Sequence, residues 1–198
     1  MEIKLAQNDY PVHEIIRKRW SPRSFDNRFI DPAKLRSMFE AARWSPSASN
    51  LQPWYFIIGM KGDETYAKIM DTLVEFNQLW APTAPVLFVA VAAENTIKGT
   101  TNHSAVYDLG QSVAYLTIQA MHEGLYVHQM AGFDVAKATF LMDIPAGYKP
   151  VTVSAVGYPG KPDVLHPNLK PMEIAPRERR KAAGSVFSGI FGQPSNIF

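Results

Sequence analysis

Two arginines and a serine alternate in the segment Arg19-Trp20-Ser21-Pro22-Arg23. In an extended chain alternate side chains share a face, so Arg19, Ser21 and Arg23 can converge on one ligand. Pro22 disfavours helix at Ser21, which supports the extended reading. Guanidinium forks donate paired hydrogen bonds to phosphate, so an anion is the ligand this pattern suits. The competing reading is a solvated basic turn after a helix.

Three further segments carry polar chemistry. The loop Ser45-Pro46-Ser47-Ala48-Ser49-Asn50-Leu51-Gln52-Pro53-Trp54 offers uncharged donors and acceptors suited to a heterocycle edge or sugar hydroxyls. It equally reads as a plain turn rich in Ser, Asn and Pro. In His128-Gln129-Met130-Ala131-Gly132-Phe133-Asp134 a strand gives way to a helix, and Gly132 permits close approach. Main-chain N–H groups at such a junction can face a ligand, unless it is a simple turn capped by Asp134. Arg177-Glu178-Arg179-Arg180-Lys181 is either a solvated charge run or a second grip on phosphate. His128 reads as a packed residue rather than a catalytic base.

The composition narrows the chemistry. The chain has 198 residues, 46% apolar and 19% charged, which suits a single folded domain spanning 1–198. A net charge of +2 gives no reason to expect nucleic acid or an anionic membrane as partner. The absence of cysteine removes disulfides, thiolate nucleophiles and iron–sulfur ligation, so redox chemistry would need a bound cofactor. The five histidines show no close metal spacing, and no metal is expected. There is no G-x-G-x-x-G after a strand, hence no dedicated dinucleotide domain, and no G-x-S-x-G elbow. With no signal-like or membrane-spanning run, a cytoplasmic location is expected.

Alternating helices and strands must position these segments. Val12, Ile15 and Ile16 lie on one side of a short helix that Pro11 can start. Asp31-Pro32 opens a helix through Leu35, Met38, Phe39 and Ala42. Strands are expected at 54–58, 86–93, 125–130 and 151–157. Helices are expected at 64–76, 106–124 and 135–142. The run at 86–93 is apolar on both faces, which marks a central strand covered on both sides. The helix at 106–124 carries Val106, Leu109, Val113, Leu116 and Ala120 on one side and Tyr115, Ile118 and Met121 on the other. A helix apolar nearly all round must be buried, and a subunit interface is a natural place for it. The last thirty or so residues show little pattern and read as a tail wrapped round something. The fold class is α+β, a mixed sheet covered by helices.

Taken in order, Arg-x-Ser-x-Arg, then Pro-Ser-x-x-Asn-x-Gln-Pro-Trp, then YDLGQSVAYLTIQAMHEGLYVHQMAGFD, IPAGYKPVTVSAVGYPGKP and a basic tail, the chain resembles the nitroreductase family over nearly its whole length. The resemblance implies an intertwined homodimer with FMN at the subunit interface. On it, Arg19, Ser21 and Arg23 match the flavin phosphate, ribityl and ring-edge contacts, with Trp20 contributing backbone. Pro46, Ser47, Ala48 and Asn50 match the loop reaching FMN from the other subunit, and Gln52 and Asn77 are further candidates. Met130, Ala131 and Gly132 match the stretch whose N–H groups face flavin N5 and O4. Arg179, with Arg177 or Arg180 beside it, matches the C-terminal phosphate grip. Ala182-Ala183 stands where a Pro-Leu step is more usual, so which arginine makes that contact stays open.

The resemblance further implies that NAD(P)H stacks on the flavin as co-substrate and delivers hydride, after which a small-molecule electron acceptor, a nitroaromatic or quinone, takes its place. No side chain is required as a catalytic acid. Specialised relatives destroy flavin, dehalogenate or oxidise azolines, and a non-catalytic flavin carrier or redox sensor is the rival from another class.

Overall fold

Strands β1 (Phe25–Asp26), β2 (Trp54–Met60), β3 (Val86–Ala93), β4 (Tyr126–Met130) and β5 (Tyr148–Pro159) form one sheet in the computed structural model, which describes residues 4–198. The helices are α1 (Glu14–Lys18), α2 (Pro32–Arg43), α3 (Glu64–Thr72), α4 (Glu75–Gln78), α5 (Ala105–His122), α6 (Val135–Leu141) and α7 (Lys170–Ile174). The α+β class follows directly.

β3 is central, between β2 and β5, and its side chains divide by parity between two cores. Leu87, Val89 and Val91 face Ile69, Trp80 and Met130 on one side. Val86, Phe88, Ala90 and Ala92 face Met38, Leu109, Val113 and Leu116 on the other. A strand covered on both faces needs an unbroken apolar run, and the sequence has one.

The sheet departs from the expected mixed pattern, because every strand pairing among the described residues is antiparallel. β3 and β4 do run the same way, since each pairs antiparallel with β5, and the crossover through α5 permits it, but β5 lies between them and separates them. β5 begins at Tyr148, three residues before the expected start. Its register against β3 shifts between Ala90 and Val91, next to Pro150. Proline has no N–H to give the ladder, so it is tolerated at such an irregularity and hides the strand from its alternation.

Asp31 caps α2 by accepting a bond from the Ala33 N–H at 2.8 Å, with Pro32 in the first turn. Leu35, Met38 and Ala42 then turn inward against α5. The helix expected over 64–76 is broken. α3 ends at Thr72, Leu73 bridges to Phe133, and the Val74 N–H donates to the Gly132 carbonyl at 3.1 Å before α4 begins. The helical spacing continues across the break, but the main chain there bonds to the segment after β4.

Gly59 lets β2 and α3 touch. A Cβ at that position would lie 2.4 Å from the Tyr66 nitrogen and 2.6 Å from its Cα. In α1, Ile15 is half-buried while Ile16 is exposed, and Val12 precedes the helix and is exposed. In α5, Leu109, Val113, Leu116 and Ala120 are buried as expected. Val106 leaves that face and is 47% exposed, as is Tyr115, while Ile118 is 37% exposed. One chain therefore covers only half of this helix. The final segment after α7 carries short turns and an isolated bridge between Phe187 and Pro194. No described helix is long and apolar enough to cross a membrane.

Candidate functional site

The segment between α1 and β1 is extended, as the Pro22 argument requires, and the Arg19 Nη1 donates to Ser21 Oγ at 3.3 Å. Alternation has therefore put Arg19 and Ser21 on one side. Trp20 points the other way into the core, edge-on to Tyr126 at 6.2 Å between ring centroids. The Lys4 ammonium lies 4.6 Å over the Trp20 ring.

The main chain of this segment is held by residues far away in sequence. Glu173, on α7 and 1% exposed, accepts from the Arg23 N–H at 3.0 and 3.1 Å and from the Ser24 N–H at 3.1 Å. The Thr83 hydroxyl accepts from the Phe25 N–H at 3.2 Å and lies 3.1 Å from the Arg23 carbonyl. His128 Nδ1 pairs with the Pro22 carbonyl at 2.8 Å, and its ring packs 4.4 Å from that of Trp80. Burial pushes the His128 imidazole down to about 4; the Pro22 carbonyl opposes that shift, and the Arg23 and Arg19 charges add to it. A neutral ring with its proton on Nδ1 fits this arrangement, since a carbonyl can only accept.

Cations crowd the result. Burial lowers the Arg19 pKa, and the Arg177 and Arg179 guanidiniums lower it further. Lys4 is likewise lowered by burial, with Glu173 opposing and Arg23 and Arg177 adding. The Arg23 Nε is buried and has no hydrogen-bond partner, while the guanidinium lies 5.8 Å from the Phe76 ring. The Glu173 carboxylate is the anion nearby, but it is taken up by main-chain N–H groups, so a buried guanidinium nitrogen with no acceptor is costly unless a further acceptor is bound. The site thus has the donors and the charge that a phosphate group needs.

The basic tail contributes unevenly. Arg177 Nη1 donates to the Lys4 and Arg17 carbonyls at 3.1 and 2.9 Å, tying the N-terminal segment to the C-terminal end of α1. Arg179 is exposed and donates to its neighbour's carbonyl, Glu178 O, at 2.7 Å. Arg180 is exposed, with no hydrogen bond or ion pair among the described residues.

At the end of β4, Met130 is buried and Gly132 admits a close neighbour from its own chain. A Cβ on Gly132 would lie 2.8 Å from Asn77 Nδ2 and 2.9 Å from Val74 Cγ2. Asn77 donates to the Gly132 carbonyl at 2.9 Å. Asp134 caps α6, accepting from the Lys137 N–H at 2.9 Å. The Ala131 and Gly132 N–H groups donate to no protein acceptor among the described residues, so the junction is both a capped turn and an open pair of donors.

The loop after α2 stands apart. Ser47 Oγ accepts from the Gln52 N–H at 3.0 Å, Gln52 Nε2 donates to Asn50 O at 3.1 Å, and the Ala48 N–H donates to the buried Asp108 carboxylate on α5 at 3.1 Å. Pro46, Ala48, Asn50 and Gln52 are exposed. Ser49, Asn50 and Gln52 hold φ of +50°, +55° and +48°. For a serine and a glutamine this left-handed backbone is strained. Among the described residues, no hydrogen bond or ion pair joins this loop to the arginine group.

Glu173, Thr83, Lys4, Phe76 and Asp108 were not singled out in the sequence. Asp108 has a visible signal, being an acid inside an apolar helix. Glu173 has none, since its partners lie about 150 positions away.

Comparison with known proteins agrees with this geometry. A sequence model described as the nitroreductase family matches residues 16–158. The crystal structure of an oxidoreductase containing FMN superposes with a TM-score of 0.89 at 32% identity, covering 94% of this chain and 96% of that one. A nitroreductase family protein from Clostridium novyi NT superposes at 0.65 with 25% identity, covering 74% and 85% respectively. An uncharacterised 15.4 kDa protein from Mycolicibacterium smegmatis is 32% identical over 146 residues, 70% of this chain and 98% of its own. With more than half of its length matched by the family model, over residues 16–158, this chain belongs to the nitroreductase family.

Proposed function

We propose that the protein is an FMN-dependent oxidoreductase, acting as a homodimer, that takes hydride from NAD(P)H and passes it to an electron-poor acceptor such as a nitroaromatic or quinone. The observation that carries this reading is the buried, unpartnered Arg23 Nε close to the Lys4 ammonium, with Arg19, crowded by Arg177 and Arg179, beside it in the chain. Its likeness in fold to an oxidoreductase containing FMN says which anion to test first.

Bound FMN supplies the hydride chemistry. Arg19, Ser21, Arg23 and Arg179 form the anion grip, and the Trp20 backbone lines it. The open Ala131 and Gly132 N–H groups, following Met130, are preorganised donors for a carbonyl or ring edge and cost no rearrangement when charge develops there. Arg23, whose guanidinium lies near the Lys4 ammonium and the His128 ring, supplies positive charge to the grip. Asn77 acts indirectly, through its bond to the Gly132 carbonyl. Arg177 is engaged with carbonyls and contributes long-range charge.

Two observations support the homodimer. The outward face of α5 leaves Tyr107, Tyr115 and Ile118 open along one side of the helix. The strained loop with Pro46, Ser47, Ala48, Asn50 and Gln52 is detached from its own chain's arginine group but anchored to α5 through Asp108. A second copy packed along α5 would cover that side and bring a loop to each site. Ile118→Glu is expected to give a monomer by light scattering, with FMN lost on gel filtration. A dimer that keeps its flavin would contradict α5 as the interface.

Steady-state oxidation of NADH and NADPH, with and without a quinone or nitroaromatic, tests the activity. Acceptor-dependent turnover supports the proposal. Bound FMN without turnover would make the protein a carrier or sensor instead.

A further inference from the structure

A carboxylate in a phosphate site repels the ligand, yet Glu173 is almost fully buried beside Arg23. Its oxygens are taken up by main-chain donors, two contacts to the Arg23 N–H and one to the Ser24 N–H. The next main-chain groups are held from the other side. Thr83 Oγ1 reaches the Arg23 carbonyl and the Phe25 N–H, and the Gly160 N–H donates to the Ser24 carbonyl at 2.8 Å. The Ser24 hydroxyl donates to Lys161 O at 2.6 Å. Every main-chain N–H from Arg23 to Phe25, and the Ser24 carbonyl, therefore has a partner outside the segment, while the Arg23 carbonyl shares the single Thr83 hydroxyl proton with the Trp80 carbonyl at 2.9 Å. The Arg23 Nε, by contrast, has none.

That contrast assigns the two halves of the residue to different tasks. The backbone is fixed by the protein so that the side chain can be presented without a protein acceptor. We propose that Glu173 and Thr83 are positioning residues of the anion grip, holding the Arg23–Phe25 main chain so that the Arg19, Ser21 and Arg23 side chains meet a phosphate group together. The inference rests on the FMN reading above. It also explains why the C-terminal segment matters to a site built near the N-terminus. α7 brings Glu173 to the Arg23 main chain, and the Lys4 ammonium donates to the Glu173 carbonyl at 2.7 Å. Arg177 then closes onto Lys4 and Arg17. On this proposal the grip depends on that docking.

Charge and position make opposite predictions here. Removing an anion from a phosphate site should tighten phosphate binding on electrostatic grounds alone, whereas losing the clamp should weaken it. The full-length chain, stripped of flavin, is titrated with FMN and with riboflavin and followed by flavin fluorescence. Riboflavin lacks the phosphate, so it reports on the ring site alone. Glu173→Gln is expected to bind FMN about 10-fold or more weakly, from the loss of charge-assisted bonds, with riboflavin affinity unchanged. Thr83→Val is expected to do the same and Thr83→Ser to restore FMN binding, and this pair decides the matter if Glu173→Gln does not fold. Tighter or unchanged FMN binding in Glu173→Gln and Thr83→Val would overturn the clamp, as would an equal loss for riboflavin. A parent chain that binds no FMN would remove the cofactor reading itself, a result distinct from failure of the clamp.

Discussion

Arg19→Ala is expected to weaken FMN binding by about 10- to 100-fold, the range given by losing one hydrogen bond to a charged group, and to leave riboflavin binding near the parent value. The argument comes from what Arg19 does without a ligand. Among the described residues its side chain bonds to Ser21, and its neighbours Arg177 and Arg179 repel it. A residue that is half-buried, crowded by like charge and weakly bonded contributes little to the fold. The melting temperature of the flavin-free variant is therefore expected to hold or rise. Weaker FMN binding with a preserved or raised melting temperature marks a group kept for its ligand. A variant that binds FMN normally but melts lower would make Arg19 a structural residue.

Acid is expected to destabilise the protein through His128, and the sign is fixed by the direction of its shift. Burial depresses the imidazole from 6.5 to about 4 in the folded chain. Between those values the unfolded chain binds a proton that the folded chain refuses. The stability is complete above about pH 6.5, declines as pH falls, and reaches its floor near pH 4, a total of about 3 kcal/mol for a shift of this size. Protonation would also add a cation within reach of the Arg23 and Arg19 charges. Melting temperatures from pH 7.5 to 4.5 check this. His128→Asn keeps a donor for the Pro22 carbonyl and cannot titrate, so its profile is expected to be flatter in that window, whatever its overall stability. Parallel profiles for the two proteins would mean that His128 does not carry the effect.

Much of this architecture can be read from local pattern. The apolar run of β3 marks the centre of the sheet, and Asp31-Pro32 marks the start of α2, because both signals arise within a few residues of where they act. Alternation around Pro22 put Arg19 and Ser21 on one side for the same reason. The failures share a cause too. Leu73 and Val74 continue a helical spacing, but tertiary bonds to the 131–133 segment break the helix. Pro150 hides the start of β5 because the irregularity that tolerates it depends on β3. The all-antiparallel pairing follows from β5 entering between β3 and β4, a topological fact that no window of residues contains. The left-handed backbone at Ser49, Asn50 and Gln52, strained at the serine and the glutamine, is invisible in a loop that looks like an ordinary turn. Glu173 is the sharpest case. An acid in a short helix near a basic tail reads as surface charge, and only the folded chain shows it bonded to the arginine segment.

The long helix α5 was read from its sequence as apolar nearly all round, and the folded chain covers one side of it. That is the expected outcome if the missing half of its burial comes from another copy. It also explains why the site in one chain has arginines and open N–H donors but a detached polar loop. On this account the dimer and the cofactor are one question, since each site needs parts of two chains.

The visible absorption spectrum of the purified protein, before and after acid release of any bound ligand, tests the central claim most directly. A two-banded flavin spectrum, with the released species identified as FMN at about one per chain, is the predicted result. A colourless protein that also fails to bind added FMN would contradict it, and the cation cluster around Arg23 would then need another anion.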